Sequence, residues 1–116
     1  MTAIRLNGHG GPDVLVPQQC ECPRPAPREL LVRIAAAGVN RVDVLQRGGG
    51  YPPPPGASDI PGLEFAGEVV ATGADTSRFH IGDLVCALVA GGGYAEYAVV
   101  DESNALPVPR GWSLEQ

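Results

Sequence analysis

The sequence predicts a mainly β fold, a partly closed β-barrel with one short helix, because its apolar segments are short and bounded by turn residues. The 116 residues include 16 glycines and 12 prolines, which sit at the edges of apolar runs. This arrangement is typical of many short strands joined by turns. A barrel hides the edges of such strands. Because strands and helices do not alternate along the chain, a doubly wound nucleotide-binding sheet is not expected in it.

The strongest predicted strand covers residues 29–37, where Leu30, Val32 and Ile34 share one face by the two-residue repeat. Gly67 lies inside another predicted strand, where a glycine indicates a bulge or a close backbone approach. The remaining predicted strands are 2–6, 14–22, 64–71, 84–89 and 94–100, followed by a last edge segment at 105–109.

One short helix is predicted directly after Asn40. Asparagine is a favoured N-cap, and Asp43 follows three residues later, as in a capping box. The glycines at 48–50 end the helix, because glycine readily adopts the left-handed conformation found at helix exits.

Charge and composition argue against several kinds of partner. The net charge is −5 at pH 7, and all eight basic residues are arginines without a cluster. Nucleic acids require a basic patch, and anionic membrane surfaces also favour positive charge. The longest apolar region, 30–39, is too short to span a bilayer and contains Arg33. The N-terminus lacks a signal-peptide core, and the three cysteines form no paired framework, so the expected location is cytoplasmic.

The sequence predicts neither a metal site nor a nucleophile–base pair. Zinc needs three or four converging ligands. Cys20 and Cys22 lie on one predicted strand without a second pair, and His9 and His80 are far away in sequence. The glycine runs lack the dinucleotide-binding spacing, and no nucleophile elbow is present.

Three polar residues remain as candidates for a site, and each also has a purely structural interpretation. Asn40 can be only a helix cap, Tyr51 can pack on the prolines at 52–55, and Glu64 can be a paired strand carboxylate. Residue type alone favours the structural interpretation. The residues by themselves therefore predict a cytosolic β-rich domain and no particular activity.

Five motifs occur in an order that resembles a known family. They are Gly38–Asp43, Gln46–Gly48 with Tyr51, Pro61–Val69, Gly82–Val85 and Gly93–Tyr97. Together they resemble the GroES-like catalytic domain of the medium-chain dehydrogenase/reductase superfamily. The segment from Tyr51 to Ser58 resembles the zinc-free, zeta-crystallin-like quinone oxidoreductase branch. The resemblance implies a substrate-side domain at 1–108 and, at 109–116, the start of the connection to a nucleotide-binding domain that this chain does not contain.

The sequence departs from the zinc alcohol dehydrogenases of the superfamily at positions that carry their chemistry. Asn40 and Leu63 stand where those enzymes have a Cys and a His zinc ligand, and Val42 stands where they usually have a hydroxyl. A neutral amide is a poor zinc ligand, and leucine has no donor atom. The resemblance therefore implies metal-free reduction.

The implied function is that of the N-terminal domain of an NADPH-dependent quinone oxidoreductase, which transfers a hydride to quinones or conjugated carbonyls without zinc. Asn40 and Tyr51 would be its catalytic residues, and Asn40 and Arg41 would contact the cofactor. NADPH would be held mainly by the absent domain, so the isolated chain is expected to be nearly inactive. The full-length protein would dimerise, if at all, through that domain. The face that meets it should be exposed and apolar here.

A non-enzymatic interpretation stays open, because a fold alone does not determine function. A GroES-like domain can be a binding or scaffold module, and the run Pro52–Pro55 next to Arg47 would suit an SH3-like partner. Against this, the run lies at a position where the family has a pocket.

Overall fold

A curled five-stranded antiparallel sheet is the main element of the structure, a computed structural model that describes residues 1–50 and 58–115. Its strands are β3 (Glu29–Ala37), β4 (Glu64–Thr72), β5 (Leu84–Leu88), β6 (Tyr97–Asp101) and β7 (Ala105–Pro107), in the order β6-β3-β4-β5-β7. A separate hairpin pairs β1 (Thr2–Leu6) with β2 (Leu15–Gln19). Tyr51 and Pro52–Pro55 lie outside the described residues, so the predictions made for them stay predictions.

The hairpin is attached to the large sheet through the short segment that precedes β6. The Ile4 amide donates to the carbonyl oxygen of Tyr94 at 2.8 Å, and on its other side the Ile34 amide donates to Glu96 at 2.8 Å. The segment thus lies between β1 and the end of β3. Together with the single helix α1 (Arg41–Arg47), this arrangement confirms the predicted mainly β, partly closed barrel with one short helix.

The core lies on one face of β3 and β4, as the alternation in the sequence predicts. Leu30, Val32, Val69 and Val85 are fully buried. Burying an aliphatic side chain of this size contributes about 1.5–3 kcal/mol. The remaining members of the core cluster are Phe65, Phe79, Ala87, Ala98, Val100 and Ala105.

Gly67 is the close-approach point that the sequence predicts. A Cβ atom there would run into the carbonyl oxygen of Arg33 on the neighbouring strand. At the same place Ile34 and Ala36 pair with consecutive residues of β4, so Ala35 is the extra residue of a bulge. A bulge of this kind bends its strand and increases the local twist.

The largest differences from the predicted strand boundaries are at the end of β2 and the start of β6, and the last edge segment ends at Pro107 instead of 109. The strand predicted at 14–22 ends at Gln19, and Cys20 exchanges the last backbone hydrogen bonds of the hairpin with Met1. Cys20 and Cys22 therefore follow the strand instead of lying on it. The strand predicted at 94–100 begins only at Tyr97.

Helix α1 follows the predicted capping. The backbone of Asn40 is extended, with φ of −124° and ψ of 159°, and the Asp43 carboxylate accepts from its amide at 2.8 Å. The glycine run ends the helix, and Gly49 has the positive φ, 87°. No helix in the described part of the chain is long and apolar enough to cross a bilayer.

The buried side chain of Glu102 ties the loop before β5 to the end of β6. Its Oε1 accepts from the amides of Ser77 at 3.0 Å and Arg78 at 2.9 Å. These backbone donors, that of Arg78 first, lower the pKa of the Glu102 carboxyl because they stabilise its ionised form.

This geometry predicts part of the acid sensitivity of the fold. Because the pKa of Glu102 is lower in the folded than in the unfolded chain, its stabilisation is present above the unfolded value of roughly 4.3 and is lost as pH falls through the folded value. We measure the free energy of unfolding by urea denaturation at neutral and at acid pH. We expect it to fall less between the two in Glu102→Gln than in the unmodified chain. Glu21→Gln, at an exposed site, is the control and should behave like the unmodified chain. An unchanged pH dependence in Glu102→Gln would contradict this assignment.

Candidate functional site

The chain reverses after β3 and brings Asn40 next to the first residue of β4. The side-chain Nδ2 of Asn40 donates to Oε1 of Glu64 at 3.2 Å. The Gly38 amide donates to the carbonyl oxygen of Glu64 at 3.2 Å and extends the β3–β4 pairing to this point. Two of the candidate residues predicted from the sequence, Asn40 and Glu64, are thus in direct contact.

Gly38 makes this contact possible. The Glu64 carboxylate lies so close over Gly38 that a Cβ atom there would overlap it. A side chain at position 38 would therefore require the Glu64 side chain to move. The first motif therefore begins with a glycine because the Glu64 side chain occupies the space that a Cβ atom at position 38 would need.

Asp43 is the buried centre of the site, with 8% of its surface exposed. Its Oδ2 accepts both the Asn40 amide at 2.8 Å and the Tyr94 hydroxyl at 2.6 Å. Its Oδ1 is buried and has no hydrogen-bond partner among the described residues. Asp43 thus links the start of α1 to the segment between the hairpin and the large sheet.

The Tyr94 hydroxyl stays protonated over the whole neutral range. Burial raises its pKa well above the ordinary value, and the hydrogen bond and negative charge of Asp43 and the charge of Glu64 raise it further. The hydroxyl is also 3.3 Å from the carbonyl oxygen of Gly38. Tyr94 is therefore a permanent hydrogen-bond donor to Asp43.

The predicted site residues differ in their surroundings. Asn40 is half-buried, whereas Arg41, the first residue of α1, is exposed and has no ion pair in the described part of the chain. Tyr51 lies outside the described residues.

Sequence reasoning missed Tyr94 as a member of the site and took Asp43 only as a cap. The two are 51 positions apart, so no local spacing connects them.

A cleft of about 640 Å³ starts at Gly38 and Glu64 and runs along the outer face of β4, β5 and β7. Ala66, Cys86 and Leu106 lie side by side across this face, opposite the core. The cleft is also lined by Ala36, Ala37, Phe65, Ala87, Leu88, Ser103, Asn104, Val108, Pro109 and residues 112–115.

The cleft opens onto an apolar surface. Leu88, Leu106 and Trp112 are 70%, 61% and 57% exposed. This surface is exposed and apolar in the described part of the chain. What covers it stays a prediction.

The ligand chemistry near Asn40 consists of an amide and two carboxylates. Among residues 1–50 and 58–115, no three His, Cys, Asp or Glu side chains are grouped so that they could hold a metal ion. The chemistry that the site offers is hydrogen bonding from Asn40, next to the negative charge of Glu64.

Comparison with known proteins agrees with this architecture. Residues 26–110 match the family model described as the alcohol dehydrogenase GroES-like domain. The chain is 40% identical to a quinone oxidoreductase of Pseudomonas aeruginosa, over 97% of this chain and 35% of that protein.

Two solved structures are similar over nearly the whole chain. The quinone oxidoreductase of Pseudomonas syringae pv. Tomato DC3000 matches with a TM-score of 0.88 and 34% identity, over 97% of this chain. The Escherichia coli quinone oxidoreductase complexed with NADPH matches with a TM-score of 0.88 and 34% identity, over 99% of this chain. The chain spans about 35% of the length of each. The family match, the fold and the order of the motifs agree: this chain belongs to the alcohol dehydrogenase GroES-like domain family of the medium-chain dehydrogenase/reductase superfamily.

Proposed function

We propose that this chain is the substrate-side domain of an NADPH-dependent quinone oxidoreductase that reduces quinones or conjugated carbonyls without zinc. The observation that carries the proposal is the hydrogen bond between Asn40 and Glu64. In the related zinc enzymes the position of Asn40 is a cysteine ligand; here a neutral amide stands there and donates to a carboxylate. The names of the similar proteins support quinones as the acceptor class.

The same proposal assigns substrate binding to this chain and dinucleotide binding to a second domain. The chain covers about a third of the length of its relatives. The described residues contain no strand, glycine-rich turn and helix of the kind that holds a dinucleotide. We therefore place the substrate-side domain at 1–108 and the start of the connection at 109–116, and we expect the isolated chain to be nearly inactive.

The residues near the cleft suit the reacting end of the cofactor and an acceptor oxygen. The Asn40 amide has two hydrogens, of which one goes to Glu64 and the other has no partner among the described residues. We propose that this second hydrogen binds a carbonyl oxygen of the nicotinamide or of the acceptor. The exposed Arg41 guanidinium can meet a cofactor phosphate, since a guanidinium matches phosphate geometry.

The chain's own residues orient and polarise the acceptor in this mechanism. NADPH, when bound, supplies the hydride. The Asn40 side chain donates to the acceptor oxygen and stabilises the negative charge that develops there. Glu64 accepts one hydrogen of the Asn40 side-chain amide and so orients the other towards the acceptor. The Tyr51 hydroxyl is the proposed second donor to the reduced oxygen. An acceptor that is already electron-poor needs less help from a Lewis acid than an alcohol does.

The cellular setting is also proposed. The three cysteines are free thiols, which a reducing compartment such as the cytoplasm favours. We expect a small-molecule substrate as the partner, no nucleic acid or membrane, and any homodimer to form through the nucleotide-binding domain.

Activity of the complete gene product that contains these residues tests the function. We expect oxidation of NADPH with a set of quinones. Asn40→Ala should lower kcat/KM about 10–100-fold and Tyr51→Phe about tenfold, because each removes one hydrogen bond to the developing charge. Asn7→Ala, at an exposed turn, is the matched control and should keep the unmodified rate. Normal rates in both site variants would remove the site assignments, and a complete lack of quinone reduction would remove the function.

Metal removal tests the zinc-free part of the proposal separately. Dialysis of the same protein against a zinc chelator should leave kcat unchanged, because the residues around Asn40 offer no set of three ligands. Zinc measured by atomic emission should be well below one ion per chain. A loss of activity that added zinc restores would contradict the proposal.

A further inference from the structure

We infer that Tyr94 is a positioning residue of this site, which holds Asn40 in place by binding Asp43. The inference rests on the proposed function of Asn40. It concerns a residue whose hydroxyl donates to Asp43 and so acts on the site through that carboxylate.

Tyr94 is well suited to be the fixed point of this arrangement. Its amide donates to the carbonyl oxygen of Pro61 at 3.0 Å, and its carbonyl oxygen accepts from Ile4 at 2.8 Å. The backbone of Tyr94 is therefore held from both sides. Helix α1, in contrast, has seven residues, and a helix this short has little stability of its own. Its start must be positioned by outside contacts.

The buried carboxylate of Asp43 connects Tyr94 to Asn40. It receives one hydrogen bond from the Tyr94 hydroxyl and one from the Asn40 backbone amide, both on Oδ2. Because Oδ1 has no partner among the described residues, the loss of the Tyr94 hydroxyl would leave a buried charge with a single donor. A buried charge with too few partners is strongly unfavourable, so the start of α1 would shift and take Asn40 with it.

The contact with Glu64 cannot replace this anchor. Its length of 3.2 Å is greater than the roughly 2.7–2.9 Å of strong charge-assisted hydrogen bonds. It orients the end of the Asn40 side chain, whereas the bond to Asp43 fixes the backbone from which that side chain extends. A tyrosine hydroxyl with its ordinary pKa of about 10 is already protonated at neutral pH, and burial raises the pKa of Tyr94 further.

Amide hydrogen exchange of the 116-residue chain, followed by NMR, tests the positioning directly. In Tyr94→Phe we expect the backbone amide of Asn40 to exchange at least about tenfold faster. This corresponds to a decrease of about 1.4 kcal/mol in the free energy of local opening. The amide of Val69, in the buried centre of β4, should keep its rate. Tyr97→Phe is the matched control, because the Tyr97 hydroxyl makes no hydrogen bond in the described part of the chain, and it should leave both amides unchanged. Equal acceleration at Asn40 and Val69, or no change at Asn40, would overturn the inference.

A double-mutant cycle in the complete gene product adds a functional readout. Tyr94→Phe should lower kcat about tenfold and change KM for the quinone little, because it misplaces Asn40 without removing a substrate contact. In an Asn40→Ala background, which keeps the backbone amide, Tyr94→Phe should have almost no further effect. If the two effects simply multiply, Tyr94 does not act through Asn40 and the inference fails. If the gene product reduces no quinone, the proposed function fails, and hydrogen exchange still decides the positioning.

Discussion

The site depends on one buried carboxylate. Asp43 accepts hydrogen bonds from the backbone of Asn40 and from the hydroxyl of Tyr94, and so it joins the start of the only α-helix in the described residues to the segment that connects the hairpin and the sheet. Burying a carboxylate is costly unless it is hydrogen-bonded, and both donors to Asp43 in the described residues bind Oδ2. The local fold and the position of the proposed catalytic amide are therefore set by the same interaction.

The sheet brings the two halves of the site together, and glycines make the approach possible. At Gly67 the bare backbone lets β3 and β4 come close enough for a bulge, and at Gly38 it leaves room for the Glu64 carboxylate. After the chain reversal Asn40 donates to Glu64, which lines an apolar cleft. A neutral amide next to a carboxylate in such a place suits a reaction in which charge develops on a substrate oxygen.

Local patterns in the sequence predict the features that depend on neighbouring residues. Alternation gives β3 to the residue, and the spacing of Asn40, Asp43 and the glycine run gives α1. The end of β2 could not be predicted, because it depends on the pairing with β1. The bond between Tyr94 and Asp43 spans 51 positions and depends on the packing of the whole barrel, so no spacing rule reveals it. The roles of Asn40 and Arg41 came from the family resemblance and remain predictions, as does that of Tyr51.

We propose that the side-chain amide of Asn40, whose backbone is held by Asp43, donates a hydrogen bond to the reacting groups of a metal-free reductase. A crystal structure of the complete gene product with NADPH and a quinone analogue tests it most directly. The account predicts the Asn40 side-chain nitrogen at about 3 Å from a carbonyl oxygen of the nicotinamide or of the analogue, with its bond to Glu64 kept. A zinc ion bound beside Asn40 and Glu64, or an Asn40 side chain turned away from both molecules, would contradict it.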